Sequence, residues 1–155
     1  MEHVWHIGSP VGDLTLTEEE GALTGLYFGR LSRPGEAGPT ALLEEAARQL
    51  REYFAGQRRE FDLPLCLRGT AFQMQVWQAL QAIPYGEVRT YGEIARAIGK
   101  PKACRAVGMA NHNNPISIIV PCHRVVGADG SLTGYGGGLA AKEFLLALEQ
   151  GGRPS

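Results

Sequence analysis

The sequence predicts an α+β protein of two small units: an antiparallel sheet with one helix, then a helix-turn-helix, winged-helix-like unit. Three observations carry this. Short apolar–polar stretches punctuated by glycine and proline open the chain, and one amphipathic helix follows. Beyond Gly69, segments with helix-capping signatures stand close together, ahead of a β-branched run and a glycine-rich stretch. The units are placed at 1–68 and 69–150, with 151–155 as a flexible tail.

Val4–Ile7, Leu14–Thr17 and Leu23–Phe28 are the first strand candidates, separated by Gly8-Ser9-Pro10, Gly12-Asp13 and Glu20-Gly21. Such spacing predicts a meander of short antiparallel strands. Residues 29–39 hold Pro34, Gly35, Gly38 and Pro39 and read as a loop. Thr40 is a fitting N-cap for a helix with Leu43, Ala46, Ala47, Leu50 and Phe54 on one face, closed by Gly56. Residues 57–69 lack periodicity and read as a linker or one short strand over 61–65.

Thr70 and Gln73 form a capping-box pattern ahead of Phe72, Val76, Leu80 and Ile83, and Pro84-Tyr85-Gly86 breaks that helix. Thr90 and Glu93 repeat the pattern ahead of Ile94, Ala95 and Ile98, which Gly99 ends. Pro101 suits the first turn of a third helix over 102–111. Helix, short break and helix resemble a helix-turn-helix; an ordinary helical corner is the alternative. On the third helix Ala103, Ala106, Val107 and Ala110 make one small apolar face, and Lys102, Arg105, Met109 and His112 make the opposite one. Residues 116–120 read as a buried strand, 127–138 as a glycine-rich wing, and 140–148 as a last helix.

Composition narrows the function. The chain has 155 residues, 44% hydrophobic and 20% charged, which is enough for a packed core. No run approaches the ~18 apolar residues of a membrane helix, and the first residues lack the basic start and apolar run of a secretory signal. A cytoplasmic protein without a membrane role is expected. Cys66, Cys104 and Cys122 are too few for a disulfide framework or a four-cysteine zinc site, so no metal is expected. The net charge is −1, but residues 1–68 sum to −4 and residues 69–155 to +3. A basic C-terminal half suits a polyanion; an uneven solvated surface is the alternative.

Cys122 is the sharpest chemical candidate. It follows the apolar run and Pro121, and His123 and Arg124 come next. A thiol becomes a nucleophile when a base or positive charge helps it ionise. Neighbouring strand side chains point oppositely, so a Cys122–His123 pair needs a turn or a bridging water. Glu149 lies near the inner face of the last helix and can orient His123, giving thiol, base and acid. The competing readings are an inert buried cysteine and a wet Glu149 at a frayed helix end. The glycine run 134–138 lacks the trailing Gly-Lys-Ser/Thr of a phosphate loop, and no dinucleotide fingerprint exists, so no cofactor is expected.

The run Ile118-Ile119-Val120-Pro121-Cys122-His123-Arg124-Val125-Val126 closely resembles the active-site signature of the methylated-DNA–protein-cysteine methyltransferases, or O6-alkylguanine-DNA alkyltransferases. Tyr91, Arg105-Ala106-Val107-Gly108, Asn114-Pro115 and the run from Tyr135 to Glu149 extend it across residues 69–150. The resemblance implies single-turnover, irreversible transfer of an alkyl group from O6 of guanine in double-stranded DNA to Cys122, by a monomer. His123 is then the base, acting through a water, and Glu149 orients it. Asn114 supports the turn near the thiol, and Tyr91 donates a proton toward guanine. DNA contacts are implied for Thr90, Tyr91, Lys102, Arg105, Met109 and Arg124, with Arg105 filling the place of the flipped base. Tyr135, Gly136 and Gly137, with Val125 and Met109, are implied to line the guanine pocket. The family often has serine where Gly136 stands, so a hydroxyl is missing there. A non-catalytic sensor of alkylated DNA and a Cys–His–Glu thiol hydrolase are the rival functions.

Overall fold

The computed structural model describes residues 2–132, 135 and 137–151, so only Gly151 of the expected tail falls within it. The chain divides into two compact units, Met1–Leu67 and Arg68–Ser155. No helix among the described residues is long and apolar enough to cross a membrane.

In the first unit, β1 (His3–Ile7), β2 (Leu14–Glu19), β3 (Ala22–Phe28) and β4 (Glu36–Ala37) form one sheet in the order β3-β2-β1-β4. The β2–β3 hairpin turns on two residues, Glu20 and Gly21, with φ of 52° and 80°. Positive φ at both is what a tight hairpin with right-handed strand twist demands. β1–β2 and β2–β3 are antiparallel, as the alternation predicts. β4 was not foreseen: inside the expected loop, Glu36 and Ala37 pair in parallel with His3 and Val4. Two residues are too few to show a period.

Helix α1 (Ala41–Phe54) starts on Thr40, whose hydroxyl accepts from the Leu43 amide. Its inner face of Leu43, Ala46, Ala47, Leu50 and Tyr53 and the sheet's Leu14, Leu16, Leu23 and Leu26 form the unit's buried core. Gln49 is also buried and acts as a surrogate strand edge. It donates to the Asp62 carbonyl and accepts from the Asp62 amide, which holds the aperiodic segment after α1. Further along that segment, Leu65 makes an isolated parallel bridge to Leu23.

The second unit contains α2 (Ala71–Gln81), β5 (Arg89–Thr90), α3 (Tyr91–Ala97), α4 (Cys104–His112), β6 (Val125–Val126) and α5 (Leu139–Glu149). Both capping boxes form: Thr70 with Gln73, and Thr90 with Glu93. Gly99, at φ 76°, closes the end of α3, and α4 follows as the second helix of the helix-turn-helix pair. Trp77 of α2 is buried and donates its indole N–H to the Ala110 carbonyl of α4 at 2.8 Å.

Two expectations fail here. α4 begins at Cys104 rather than 102, with Pro101 and Lys102 in the preceding turn. Its buried residues are Val107, Ala110 and Asn111, while Ala106 is exposed, so the small-residue face is narrower than its composition suggests. β5 and β6 pair in parallel, Arg89 with Val125 and Thr90 with Val126, and this brings the residues after Cys122 beside the start of α3.

Candidate active site

The β-branched run after α4 is not a strand. Pro115 has no amide hydrogen to give; Ile116 makes a single bridge, residues 117–119 turn and Val120 bends. Val120 N–H donates to the Ile116 carbonyl, and Ile119 N–H to that of Ser117. Asn114 completes the wrap: its Oδ1 accepts from Ile116 N–H at 3.0 Å, and its Nδ2 donates to the Val120 carbonyl at 2.8 Å. Ile116, Ile118 and Val120 are buried, so their apolar character reflects burial rather than sheet pairing. Ile118 sits at φ 71°, a conformation unusual for a β-branched residue and the kind of backbone strain that clusters at functional sites.

A single 3-10 turn, Cys122–Arg124, follows directly. It replaces strand alternation with a tight rotation, and that is how adjacent residues serve different partners. Asn111 of α4 donates its Nδ2 to the Cys122 carbonyl at 3.3 Å, tying the turn to that helix.

Cys122 is 3% exposed. Burial pushes its thiol above the ordinary value, and this outweighs side-chain hydrogen bonds from Asn114, Tyr135 and Ser117 and the positive charge of Lys142. The resting sulfur is therefore a protonated thiol among groups arranged to favour its thiolate. His123 is fully buried, and burial pushes its imidazole below the ordinary value against the pull of Glu149. It is neutral at neutral pH. Its Nε2 lies 2.7 Å from Glu149 Oε2. A carboxylate accepts, so the proton is assigned to Nε2 and the lone pair to Nδ1. Among the described residues Nδ1 is buried without a hydrogen-bond partner, which leaves a base with a free lone pair.

Glu149 is buried at the end of α5, not wet. Periodicity placed it near the inner face but did not reveal its second partner, Arg124. Arg124 Nε donates to Oε1 at 2.8 Å, Nη2 to Oε2 at 3.0 Å, and Nη1 to the Ile83 carbonyl at 2.7 Å. This corrects the expected DNA contact: a guanidinium 7% exposed and committed to buried acceptors has nothing to offer a phosphate. Val125 is corrected as well. Its side chain is fully buried in β6, so only its backbone is left to face a guanine.

The remaining candidates divide between surface and interior. Lys102, Arg105 and Met109 are exposed, and among the described residues Met109 is the most exposed of the large apolar ones, at 64%. Thr90 is spent partly on capping α3. Tyr91 opens α3 half-buried, and its ring lies 3.8 Å from where a β-carbon on Gly108 of α4 would stand, so the ring packs against that part of α4. Tyr135 is half-buried near Cys122 and Lys142. Gly137 is half-buried, and Gly136 lies outside the described residues.

Sequence reasoning missed three residues. Lys142 has no exposed surface, donates Nζ–H to the Val125 carbonyl at 2.6 Å, and lies 6.0 Å from the Tyr135 ring centre. Its spacing to Leu145 and Glu149 along α5 was a signal that it shares their face. Ser117 and Asn111 carried no pattern that pointed to the thiol.

Comparison with known proteins agrees with this geometry. Residues 71–151 match the family described as 6-O-methylguanine DNA methyltransferase, DNA binding domain, and residues 6–67 match its ribonuclease-like domain. A methylated-DNA–protein-cysteine methyltransferase of Mycolicibacterium paratuberculosis is 54% identical over 153 residues, spanning 96% of this chain and 93% of that protein. One of the same name from Methanosarcina acetivorans is 54% identical over 147 residues, spanning 91% and 94%. The crystal structure of Mycobacterium tuberculosis OGT in complex with DNA superposes with a TM-score of 0.92 at 53% identity, over 99% of this chain and 96% of that one.

Proposed function

The chain belongs to the 6-O-methylguanine DNA methyltransferase family, and on that premise we propose that it repairs alkylated DNA by direct reversal, moving the alkyl group from O6 of guanine in a duplex to its own Cys122. The observation that carries this is the buried thiol of Cys122 beside a neutral His123 whose other nitrogen is held by Glu149.

The reaction is a displacement at the alkyl carbon. The carbon–oxygen bond breaks, a carbon–sulfur bond forms, and the thiol proton ultimately replaces the alkyl group on guanine. His123 Nδ1 takes the proton from Cys122 through a water, and Glu149 stabilises the imidazolium. Lys142 and the hydrogen bonds from Asn114, Ser117 and Tyr135 favour the thiolate. Tyr91 donates toward the leaving guanine. The O6 atom lies inside the base stack, so the nucleotide must be flipped out. Arg105 fills the gap, and exposed Lys102 and Met109 on the same side of the helix-turn-helix meet the duplex. Tyr135, Gly136 and Gly137 receive the guanine. The alkyl donor is the DNA itself, so this chemistry requires no cofactor. The thioether has no route back to thiol, so each molecule acts once. In this reading residues 69–150 carry both DNA contact and chemistry, residues 1–68 form the accompanying subdomain, and the protein works as a monomer in the cytoplasm on nucleoid DNA.

The test is intact-protein mass and peptide mapping after mixing equimolar protein with a duplex containing O6-methylguanine. The expected result is one methyl group on Cys122, guanine restored, and no reaction beyond one equivalent. Lesion binding without added mass would replace this reading with a damage sensor; turnover of an acyl substrate beyond one equivalent would replace it with a thiol hydrolase. Arg105→Ala is expected to slow repair of duplex about tenfold or more, the order of one lost unstacking contact, while leaving reaction with free O6-methylguanine base within about twofold. Equal losses on both substrates would remove Arg105 from the flipping role.

A further inference from the structure

Arg124 has been placed by its neighbours rather than by DNA. We propose that Arg124 is a positioning residue of the transfer reaction: by clamping both oxygens of Glu149 it supplies the cluster's positive charge, so that His123 stays a neutral base. The proposal rests on the alkyl-transfer reading and assigns a role within that site.

Four observations carry it. Arg124 and His123 share an acceptor: Nη2 of one and Nε2 of the other both reach Glu149 Oε2, at 3.0 and 2.7 Å. Nε of Arg124 holds the second oxygen at 2.8 Å, so the carboxylate is gripped in a two-point fork. The fork cannot swing away, because Nη1 is bonded to the Ile83 carbonyl and the guanidinium lies 5.7 Å from the Tyr85 ring centre. All three ionisable groups are buried.

A buried cluster resists net charge. Glu149 brings one negative charge, and one positive charge must answer it. A guanidinium carries a fixed positive charge, and Arg124 provides it. A proton on His123 Nδ1 would then set two cations across a single oxygen, which is disfavoured. Without Arg124, a proton on His123 becomes the nearest answer to the charge of Glu149, and a protonated His123 can take nothing from Cys122. Among the described residues, the other charged and titratable groups facing this cluster are Lys142 of α5, Cys122 itself, and the phenols Tyr85, against Arg124, and Tyr135, against Cys122. Lys142 acts in the same sense as Arg124, and its amine donates to the Val125 carbonyl. Arg124 is thus the cation that both fixes the carboxylate and sets the imidazole.

The test reads His123 directly. Imidazole nitrogen signals, assigned by their loss in His123→Gln, are followed against pH in the intact protein, in Arg124→Gln and in Arg124→Lys. Single-turnover transfer from O6-methylguanine duplex is measured across the same range. In the unaltered protein His123 is expected to be neutral at neutral pH, with its proton on Nε2. In Arg124→Gln its midpoint is expected to rise by about one unit or more, and transfer near pH 6 to fall about tenfold while staying within about threefold near pH 8.5. Arg124→Lys, which keeps a charge, is expected to restore most of the low-pH rate. An unmoved midpoint, or a loss of rate by the same factor at every pH, overturns the proposal. If Arg124→Gln does not fold, a protonated His123 at pH 7 in the unaltered protein overturns it alone. A shifted midpoint in a protein that transfers nothing would instead overturn the function and leave the charge arrangement standing.

Discussion

Cys122→Ala is expected to bind O6-methylguanine duplex with nearly unchanged affinity and to transfer no methyl group, a loss of at least about a thousandfold in single-turnover rate. The two halves of that result have separate causes. Transfer needs a soft, polarisable nucleophile, and no other described side chain near the site can supply one; Ser117 offers only a hydroxyl with a far higher pKa. In the proposed reading, binding draws on Lys102, Arg105 and Met109, which are exposed and which the substitution does not touch. The fold should tolerate the change, because the turn around Cys122 is held by backbone and by Asn111 and Asn114, not by the sulfur. Duplex titration by fluorescence anisotropy and radiolabel transfer on the same preparation check both halves. Lost binding in a folded variant, or retained transfer, would remove Cys122 from the role assigned to it.

Glu149→Ala is expected to be the most destabilising single change at the site, costing about 3–5 kcal/mol, because it leaves the Arg124 guanidinium buried without its counter-charge. For a unit of this size that corresponds to a fall in Tm of more than about 10 °C. Replacing both partners, Arg124→Met with Glu149→Leu, is expected to recover most of the loss, since neither member of the pair is then left as a stranded charge. Calorimetry on the single and double variants distinguishes this from simple loss of packing. If the double variant melts as low as Glu149→Ala, the cost lies in packing and not in the stranded charge.

Much of this arrangement was legible before any coordinates. The capping boxes at Thr70 and Thr90 are written as side-chain types at fixed spacing, and they start α2 and α3 where expected. Glu149 falls near the inner face of its helix by periodicity alone, and a carboxylate there needs a partner. The run Ile116–Val120 misled because β-branched apolar residues signal burial and strand together, and here only burial applied. Nothing within the run itself distinguishes them: the turn is imposed by Pro115 just before it and by an asparagine side chain that reaches six residues ahead. β4, β5 and β6 have two residues each and no period to read. Arg124 was misplaced because an arginine beside a reactive cysteine in a DNA-facing unit suggests a phosphate. Its true acceptors, Ile83 and Glu149, are 41 and 25 positions distant, and no pattern within the motif points to them.

Asn114 holds the turn with both halves of its amide, one accepting and one donating. Conversion to aspartate would cost the donor and set a negative charge beside the sulfur, so the site is only as durable as that amide. Asparagine usually ages when the next residue's backbone nitrogen attacks the side-chain carbonyl. Here the next residue is Pro115, whose nitrogen carries no hydrogen and closes that route. A protein that reacts once and waits an unknown time for its lesion gains shelf life from this dipeptide. The nucleophile's support is protected against slow chemical decay by the same proline that ends the helix before it.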